Sequence, residues 1–131
     1  MFDAILGGDA EAFQSELSKL LAESISFYDR AENFYHGFMA GVLSRLNGYR
    51  VKSNRESGAG RSDLALYGMD KAVIFEFKAA KKAKEMPAAC EDALKQIEDN
   101  NYAAYWDDEG YTDILKYGIA FCKKKCEVRK G

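Results

Sequence analysis

Two acidic residues and a lysine on two predicted neighbouring strands are the side chains of this sequence best suited to chemistry. Glu76 and Lys78 share one face of an apolar segment, residues 71–78, because side chains of a strand alternate between its faces. Asp63 begins the preceding predicted strand. If the strands are neighbours the two carboxylates converge, and they repel unless a cation or a proton lies between them.

Hard divalent cations such as Mg²⁺ prefer oxygen ligands of this kind. A lysine beside such an ion can orient a water molecule or stabilise a developing negative charge. The alternative is an ion pair between Glu76 and Lys78 at the end of the sheet, since an unpaired charge on so apolar a strand is costly.

The elements that position these residues follow from the apolar patterning. The spacing predicts a helix from Asp9 to about Ser24 and a second helix from near Arg30 that Asn47-Gly48 ends. Strands are predicted at 49–54, 63–67 and 71–78, with a glycine-containing loop at 56–61. A polar connection at 81–87 leads to a helix over 88–104, residues 111–116 are ambiguous, and a hairpin over 117–122 and 126–129 follows. This order predicts an α/β (α+β) protein with a central mixed sheet.

Length and charge set the limits on domain number and on partners. The chain has 131 residues, enough for one compact domain, and a net charge of -2, which argues against a generally basic nucleic-acid binder but leaves room for a local phosphate site. Residues 1–32 hold seven acids against Lys19 and Arg30, whereas the rest holds 17 bases and 14 acids. We therefore expect residues 1–28 to be a helical lead-in or the end of a preceding domain, and residues 29–131 to be the main domain.

Cysteine content and apolar runs indicate a cytoplasmic location. Three cysteines and one histidine, without a C-x-x-C pair, exclude a recognisable zinc site and predict free thiols in a reducing compartment. The uncharged run 33–44 is 12 residues long, too short to cross a bilayer. The N-terminus has no basic region typical of a signal peptide. We expect a cytoplasmic protein with no membrane partner.

Asp63 followed by Glu76-Phe77-Lys78 resembles the D…(D/E)-x-K signature of the PD-(D/E)XK nuclease superfamily. Five segments are similar to one bacterial branch in which the nuclease-like domain commonly follows an AAA-ATPase-like domain: residues 32–37, 53–63, 74–78, 93–97 and 116–121. The resemblance covers roughly residues 28–131, and Ser62 stands where many members have proline. It implies a restriction-endonuclease-like fold, with an αβββαβ core and a mixed sheet of four to five strands flanked by helices, here with an extra N-terminal helix.

The resemblance also implies roles for individual residues. Asp63 and Glu76 match the metal-binding acids, and Lys78 matches the catalytic lysine. Glu32 matches an acid on the helix before the sheet, and Gln96 matches a polar residue on the following helix. The implied activity is Mg²⁺-dependent hydrolysis of nucleic-acid phosphodiester bonds, with Mn²⁺ as the alternative ion and DNA as the expected substrate. Glu32 could instead favour the helix dipole, and Gln96 could serve close packing on the sheet.

Basic residues near the predicted site are candidates for nucleic-acid contacts. Arg55 and Arg61 flank the glycine-containing loop, where they could bind phosphate or pair with Glu56. Lys81 and Lys82, with Lys84, and the run Lys123-Lys124-Lys125 follow strands, and both clusters could track phosphates or simply be solvated.

For two further groups of residues, a structural role is the favoured interpretation. We expect His36 to be a packed helix residue rather than a catalyst. Packing is likewise favoured over base stacking for Tyr102, Tyr105 and Trp106.

Two other functions remain open from the sequence. A descendant of a nuclease could be a catalytically silent module that binds nucleic acid or protein and serves an AAA-ATPase-like partner, and the acidic total charge favours this. A purely structural domain with an ion pair at the sheet end is the third alternative. A homodimer is also compatible with the sequence, which decides neither between DNA and RNA nor between endonuclease and exonuclease.

Overall fold

The computed structural model describes residues 1–24, 32–53 and 63–131, with the side chains of Glu32 and Asn33 left out. Three helices come first, followed by three strands, two helices after a short 3₁₀ turn (Ala83–Glu85), and two strands. Their bounds are α1 Phe2–Gly7, α2 Ala10–Ser24, α3 Glu32–Leu43, β1 Arg50–Ser53, β2 Leu64–Gly68, β3 Lys71–Ala79, α4 Met86–Asp99, α5 Tyr102–Asp108, β4 Asp113–Cys122 and β5 Lys125–Lys130.

The strands form one mixed sheet in the order β1-β2-β3-β4-β5. Only β3 and β4 pair in parallel, with Glu76 opposite Gly118 and Ala79 opposite Phe121. The other neighbours are antiparallel, and Leu64 lies opposite Phe75 in the β2–β3 pair. The stretch from α3 to β4 follows the order αβββαβ with one additional helix, α5, before β4, and the predicted mixed sheet flanked by helices is confirmed.

The two faces of β3 belong to two different apolar cores. Phe75 and Phe77 pack into the larger core together with residues of α1, α2 and α3. Ile74 points to the other face, where it packs with residues of α4 and α5. Glu76 and Lys78 follow Ile74 in the alternation, so they lie on the α4 face.

The N-terminal helices pack directly on the sheet. Phe13, Leu17 and Leu21 of α2 are fully buried in the larger core, and each such side chain contributes about 1.5–3 kcal/mol when it leaves water. The Gln14 side-chain oxygen accepts the Val128 backbone N–H at 2.8 Å, which ties α2 to β5. A domain division near residue 28 stays a prediction, whereas the packing of α1 and α2 against the sheet is observed.

Three elements differ from the sequence prediction. The helix α1 (Phe2–Gly7) has no counterpart in it, since the prediction gives one N-terminal helix from Asp9 to about Ser24. The single helix predicted over 88–104 is two helices, because the chain breaks at Asn100-Asn101, where Asn101 adopts a left-handed φ of 50°. Asparagine tolerates this conformation better than most residues. Of the ambiguous residues 111–116, residues 113–116 form the first part of β4, which is half-exposed and therefore lacks a clear apolar alternation.

In the described ranges, no helix has the length and apolar character needed to cross a membrane. All three cysteines, Cys90, Cys122 and Cys126, are buried free thiols, as predicted.

Candidate metal centre and active site

At the end of the β2–β3 pair, the side chains of Asp63 and Glu76 each accept a hydrogen bond from the backbone of the other strand. The Glu76 carboxylate accepts the Asp63 backbone N–H at 3.1 Å. The Asp63 carboxylate accepts the Phe77 backbone N–H at 2.9 Å. Continuing the register of Leu64 with Phe75 by one residue sets Asp63 opposite Glu76, and directly opposed residues of an antiparallel pair share a face. The predicted pair of carboxylates is therefore brought to one point of the sheet.

The environment of these acids suits a divalent cation. Glu76 is only 3% exposed, and a buried carboxylate is costly unless hydrogen bonds or opposite charge compensate it. Two adjacent carboxylates supply hard oxygen donors, the kind that Mg²⁺ and similar ions prefer. In the described part of the chain, no group of three or more His, Cys, Asp or Glu side chains could hold a metal ion. Asp63 and Glu76 are therefore a pair of candidate metal ligands without a third among the described residues. The third predicted acid, Glu32, begins α3, but its side chain lies outside the described residues.

Lys78 is held by a chain of hydrogen bonds from α4 and α5. Its ammonium donates to the Gln96 side-chain oxygen at 2.8 Å. The Gln96 amide in turn donates to the Tyr102 hydroxyl at 3.4 Å, and the Asn100 amide donates to the same hydroxyl at 3.3 Å. No described carboxylate forms an ion pair with Lys78. The alternative considered above, an ion pair between Glu76 and Lys78, is therefore not formed.

Gly118 allows α4 to lie close above this site. It stands opposite Glu76 on β4, and a Cβ atom there would come within 2.7 Å of the Cys90 carbonyl oxygen and 3.0 Å of Leu94 Cγ. Because real Cβ atoms do not approach so closely, any side chain at this position would push α4 away from the sheet. This close approach brings Gln96 within hydrogen-bonding distance of Lys78.

Helix α3 reaches the same end of the sheet. The His36 Nε2 atom lies 2.7 Å from the Ser53 hydroxyl, and the His36 ring makes an edge contact with Phe77. His36 is 7% exposed, so the predicted packing role is confirmed. Glu32 lies one turn before His36 on the same helix.

The structure describes only some of the candidate residues for nucleic-acid contacts. Arg55 and Arg61 lie outside the described residues. Lys81 and Lys82 are exposed and follow β3 directly. A cavity of about 360 Å³ beside the site is lined by both Lys78 and Lys81. The aromatic residues Tyr102 and Trp106 are 4% and 5% exposed, which confirms packing rather than base stacking.

Tyr102 and Asn100 are site residues that the sequence did not reveal. They support Gln96 only because the chain turns at Asn100-Asn101 and brings the Tyr102 hydroxyl back towards α4. Sequence spacing does not predict the contact between Gln96 and Tyr102, because Gln96 belongs to α4 and Tyr102 belongs to α5.

A family model described as the PD-(D/E)XK nuclease superfamily matches residues 30–131. The matched segment contains Asp63, Glu76, Lys78 and Gln96, together with every strand of the sheet. No curated protein and no solved structure gives a significant match to the chain.

Proposed function

Because the chain belongs to the PD-(D/E)XK nuclease superfamily, we propose that it is a metal-dependent nuclease that hydrolyses phosphodiester bonds of DNA. The observation that carries the proposal is the mutual anchoring of Asp63 and Glu76, with Lys78 two residues further on the same face of β3. Two convergent acids beside one ammonium are the set needed to hold a cation next to a phosphate.

The proposed ion ligands are Asp63 and Glu76, with Glu32 as a third acid acting through water. Nucleases of this superfamily typically use divalent metal ions, and we propose Mg²⁺, with Mn²⁺ as a substitute. When bound, such an ion supplies Lewis-acid activation of the scissile phosphate and of water. The backbone N–H groups of Asp63 and Phe77 each donate to one carboxylate oxygen and so hold the two carboxylates in place.

Lys78 and Gln96 supply the groups that act on charge developing during hydrolysis. The Lys78 ammonium can orient the attacking water or donate a hydrogen bond to a phosphate oxygen as negative charge builds on it. Gln96 accepts one ammonium hydrogen and so fixes the direction of the other two, while Tyr102 fixes Gln96. Such preorganisation matters because a misplaced donor loses most of its effect on the transition state.

The experiment is a cleavage assay with Mg²⁺ or Mn²⁺ on linear, single-stranded and branched DNA and on RNA, beside a binding titration in Ca²⁺. We expect Lys78→Ala to lower the cleavage rate on the order of 10²–10³-fold while nucleic-acid affinity changes little, because the ammonium acts mainly in the transition state. Lys19→Ala removes an exposed lysine of α2 and should keep the wild-type rate.

Binding without cleavage of any substrate by the wild-type chain would contradict the proposal and support a silent module that serves a partner. We propose an AAA-ATPase-like domain as that partner in either case. The assay is therefore repeated with such a domain attached before catalysis is rejected.

A further inference from the structure

Basic side chains from two separate segments gather at one edge of the sheet. Lys81 and Lys82 follow β3, Lys123 and Lys124 connect β4 to β5, and Lys125 begins β5. Because β3 and β4 run parallel, their carboxyl ends meet at the same edge. The five lysines, with Ala83 and Cys122, line a cleft of about 400 Å³, which we call the lysine cleft.

The charge of the lysine cleft is not neutralised within the described residues. None of its five lysines forms an ion pair there, whereas Lys71, Lys95 and Lys116 elsewhere each pair with a carboxylate. The acid closest in sequence, Glu85, accepts the Lys82 backbone N–H instead of an ammonium hydrogen. Concentrated like charge of this kind attracts anions, and a concave wall strengthens the field.

One wall of the lysine cleft is fixed to the protein core. The Tyr35 hydroxyl donates to the Lys123 carbonyl oxygen at 2.8 Å. Tyr35 is 1% exposed, and its ring stacks on Phe121 with the centroids 4.3 Å apart. Lys123 itself adopts a left-handed φ of 58°, a conformation that favours glycine or asparagine. Lys123 therefore occupies a position at which glycine or asparagine would be less strained.

The lysine cleft continues from the candidate active site. Lys81 lines both this cleft and the cavity that contains Lys78. Three residues of extended chain span at most about 10 Å, which equals roughly three base-pair steps at 3.4 Å each along the axis of a DNA duplex. A strand whose scissile phosphate lies at Lys78 can therefore reach the lysine cleft within a few nucleotides.

We propose that the lysine cleft binds the sugar–phosphate backbone of the substrate strand on one side of the scissile phosphate. The proposal rests on the proposed nuclease function and adds the path of the substrate. It makes Lys123, Lys124 and Lys125 partners of Lys81 and Lys82 in one binding surface. The contacts involve phosphate charge only, so they are independent of base sequence.

The test compares two triple variants of the full 131-residue chain. Lys123→Gly/Lys124→Gln/Lys125→Gln removes three charges from the lysine cleft, and glycine suits the left-handed position, so the fold is kept. Lys19→Gln/Arg45→Gln/Lys95→Gln removes the same charge from exposed positions outside the cleft. Binding of a labelled DNA strand is titrated in Ca²⁺ over a series of salt concentrations, and melting temperatures verify that both variants are folded.

We expect the cleft variant to bind about tenfold more weakly or worse and to lose about one unit of salt slope for each phosphate contact removed. The control variant should keep the wild-type slope. Equal losses in both variants, or no loss in the cleft variant, would overturn the proposal. Unchanged DNA binding with lost binding of polyglutamate would overturn it in favour of an acidic polypeptide.

The same titration separates this proposal from the proposed nuclease function. Cleavage by the wild-type chain with no effect of the cleft variant would leave the nuclease standing and reject the lysine cleft. DNA binding that depends on the cleft, in a wild-type chain that never cleaves, would support the lysine cleft and reject the nuclease. Lys81→Gln/Lys82→Gln provides a second variant from the opposite wall, for which we expect the same reduced slope.

Discussion

At the scale of single residues, the site depends on hydrogen bonds that cross between two strands. Asp63 and Glu76 each use a carboxylate oxygen to accept a backbone N–H from the other strand. These bonds hold two negative charges together at the end of the sheet, where repulsion alone would separate them. A divalent cation between the two carboxylates, as proposed above, would lower this repulsion.

Asp63→Asn tests this balance, because asparagine keeps an oxygen that can accept the Phe77 N–H but removes the charge. We expect the apo melting temperature to be kept or raised, and the rise that Mg²⁺ causes in the wild-type chain to disappear. The measurement is thermal unfolding with and without Mg²⁺.

Asp113→Asn serves as the control, since Asp113 pairs with Lys71 in a half-exposed ion pair of the kind that contributes about 0–1 kcal/mol. This variant should keep the response to Mg²⁺. A large loss of apo stability in Asp63→Asn would instead assign Asp63 a structural role.

The residues on β2 and β3 could be predicted because strand alternation fixes the face on which each side chain lies. Glu76 and Lys78 follow from that rule alone. The contact between Lys78 and Gln96 could not be predicted, since it depends on how α4 crosses the sheet. Residue types identify what a side chain can do, whereas the helix packing decides which partner it meets.

At the scale of elements, the distance between α4 and the sheet is set by one residue, Gly118. Helix α4 also brings Cys90 and Ala93 down onto β4, where a side chain at position 118 would collide with them. This close packing is on the face that carries Glu76 and Lys78. The helix that covers the core is thus also the element that orients the candidate catalytic lysine.

Gly118→Ala should therefore destabilise the protein by about 1–3 kcal/mol, the usual cost of forcing extra volume into a packed interior. It should also lower the cleavage rate, because Gln96 moves with α4 away from Lys78. Urea unfolding and the cleavage assay measure the two effects.

Gly41→Ala is the matched control, because a Cβ at Gly41 in α3 meets nothing within 4 Å. Alanine stabilises a helix interior by up to about 1 kcal/mol relative to glycine, so this variant should be neutral or more stable. A neutral Gly118→Ala would show that α4 is free to shift without affecting the sheet.

The convergence of the lysines is also an element-scale property. The two lysine clusters lie about forty residues apart in the chain, and they meet because β3 and β4 are parallel neighbours. The sequence predicted each strand, but apolar alternation does not specify which strands pair or in which direction. Parallel pairing of β3 and β4 requires a crossover connection, here through α4. The course of this connection is known only from the folded structure.

At the scale of the whole molecule, buried titratable groups lie in two apolar cores, the larger core and a smaller core of Met86, Cys90, Ala120 and Cys122. Burial raises the pKa of the Cys90 thiol from its ordinary value of 9.0 to about 12 and that of Cys126 to about 11. Burial also raises the pKa of Tyr117 to about 12, and its hydroxyl donates to the Ile5 carbonyl oxygen at the start of the chain. These groups couple the stability of both cores to pH.

The sign of this coupling follows from proton release on unfolding. Above pH 9 the unfolded chain loses its thiol protons while the folded chain keeps them, so stability is full below pH 9 and falls as pH rises towards 11. Each thiol should contribute a slope of about 1.4 kcal/mol per pH unit in that window. Urea unfolding under reducing conditions across pH 8–11 should show the decline. In Cys90→Ala, the slope of the free energy of unfolding against pH should be smaller by the contribution of one proton. The same variant should lower stability at pH 7 by an amount that does not depend on pH. An identical slope in Cys90→Ala would mean that the Cys90 thiol ionises equally easily in both states, and that the region between α4 and the sheet admits water.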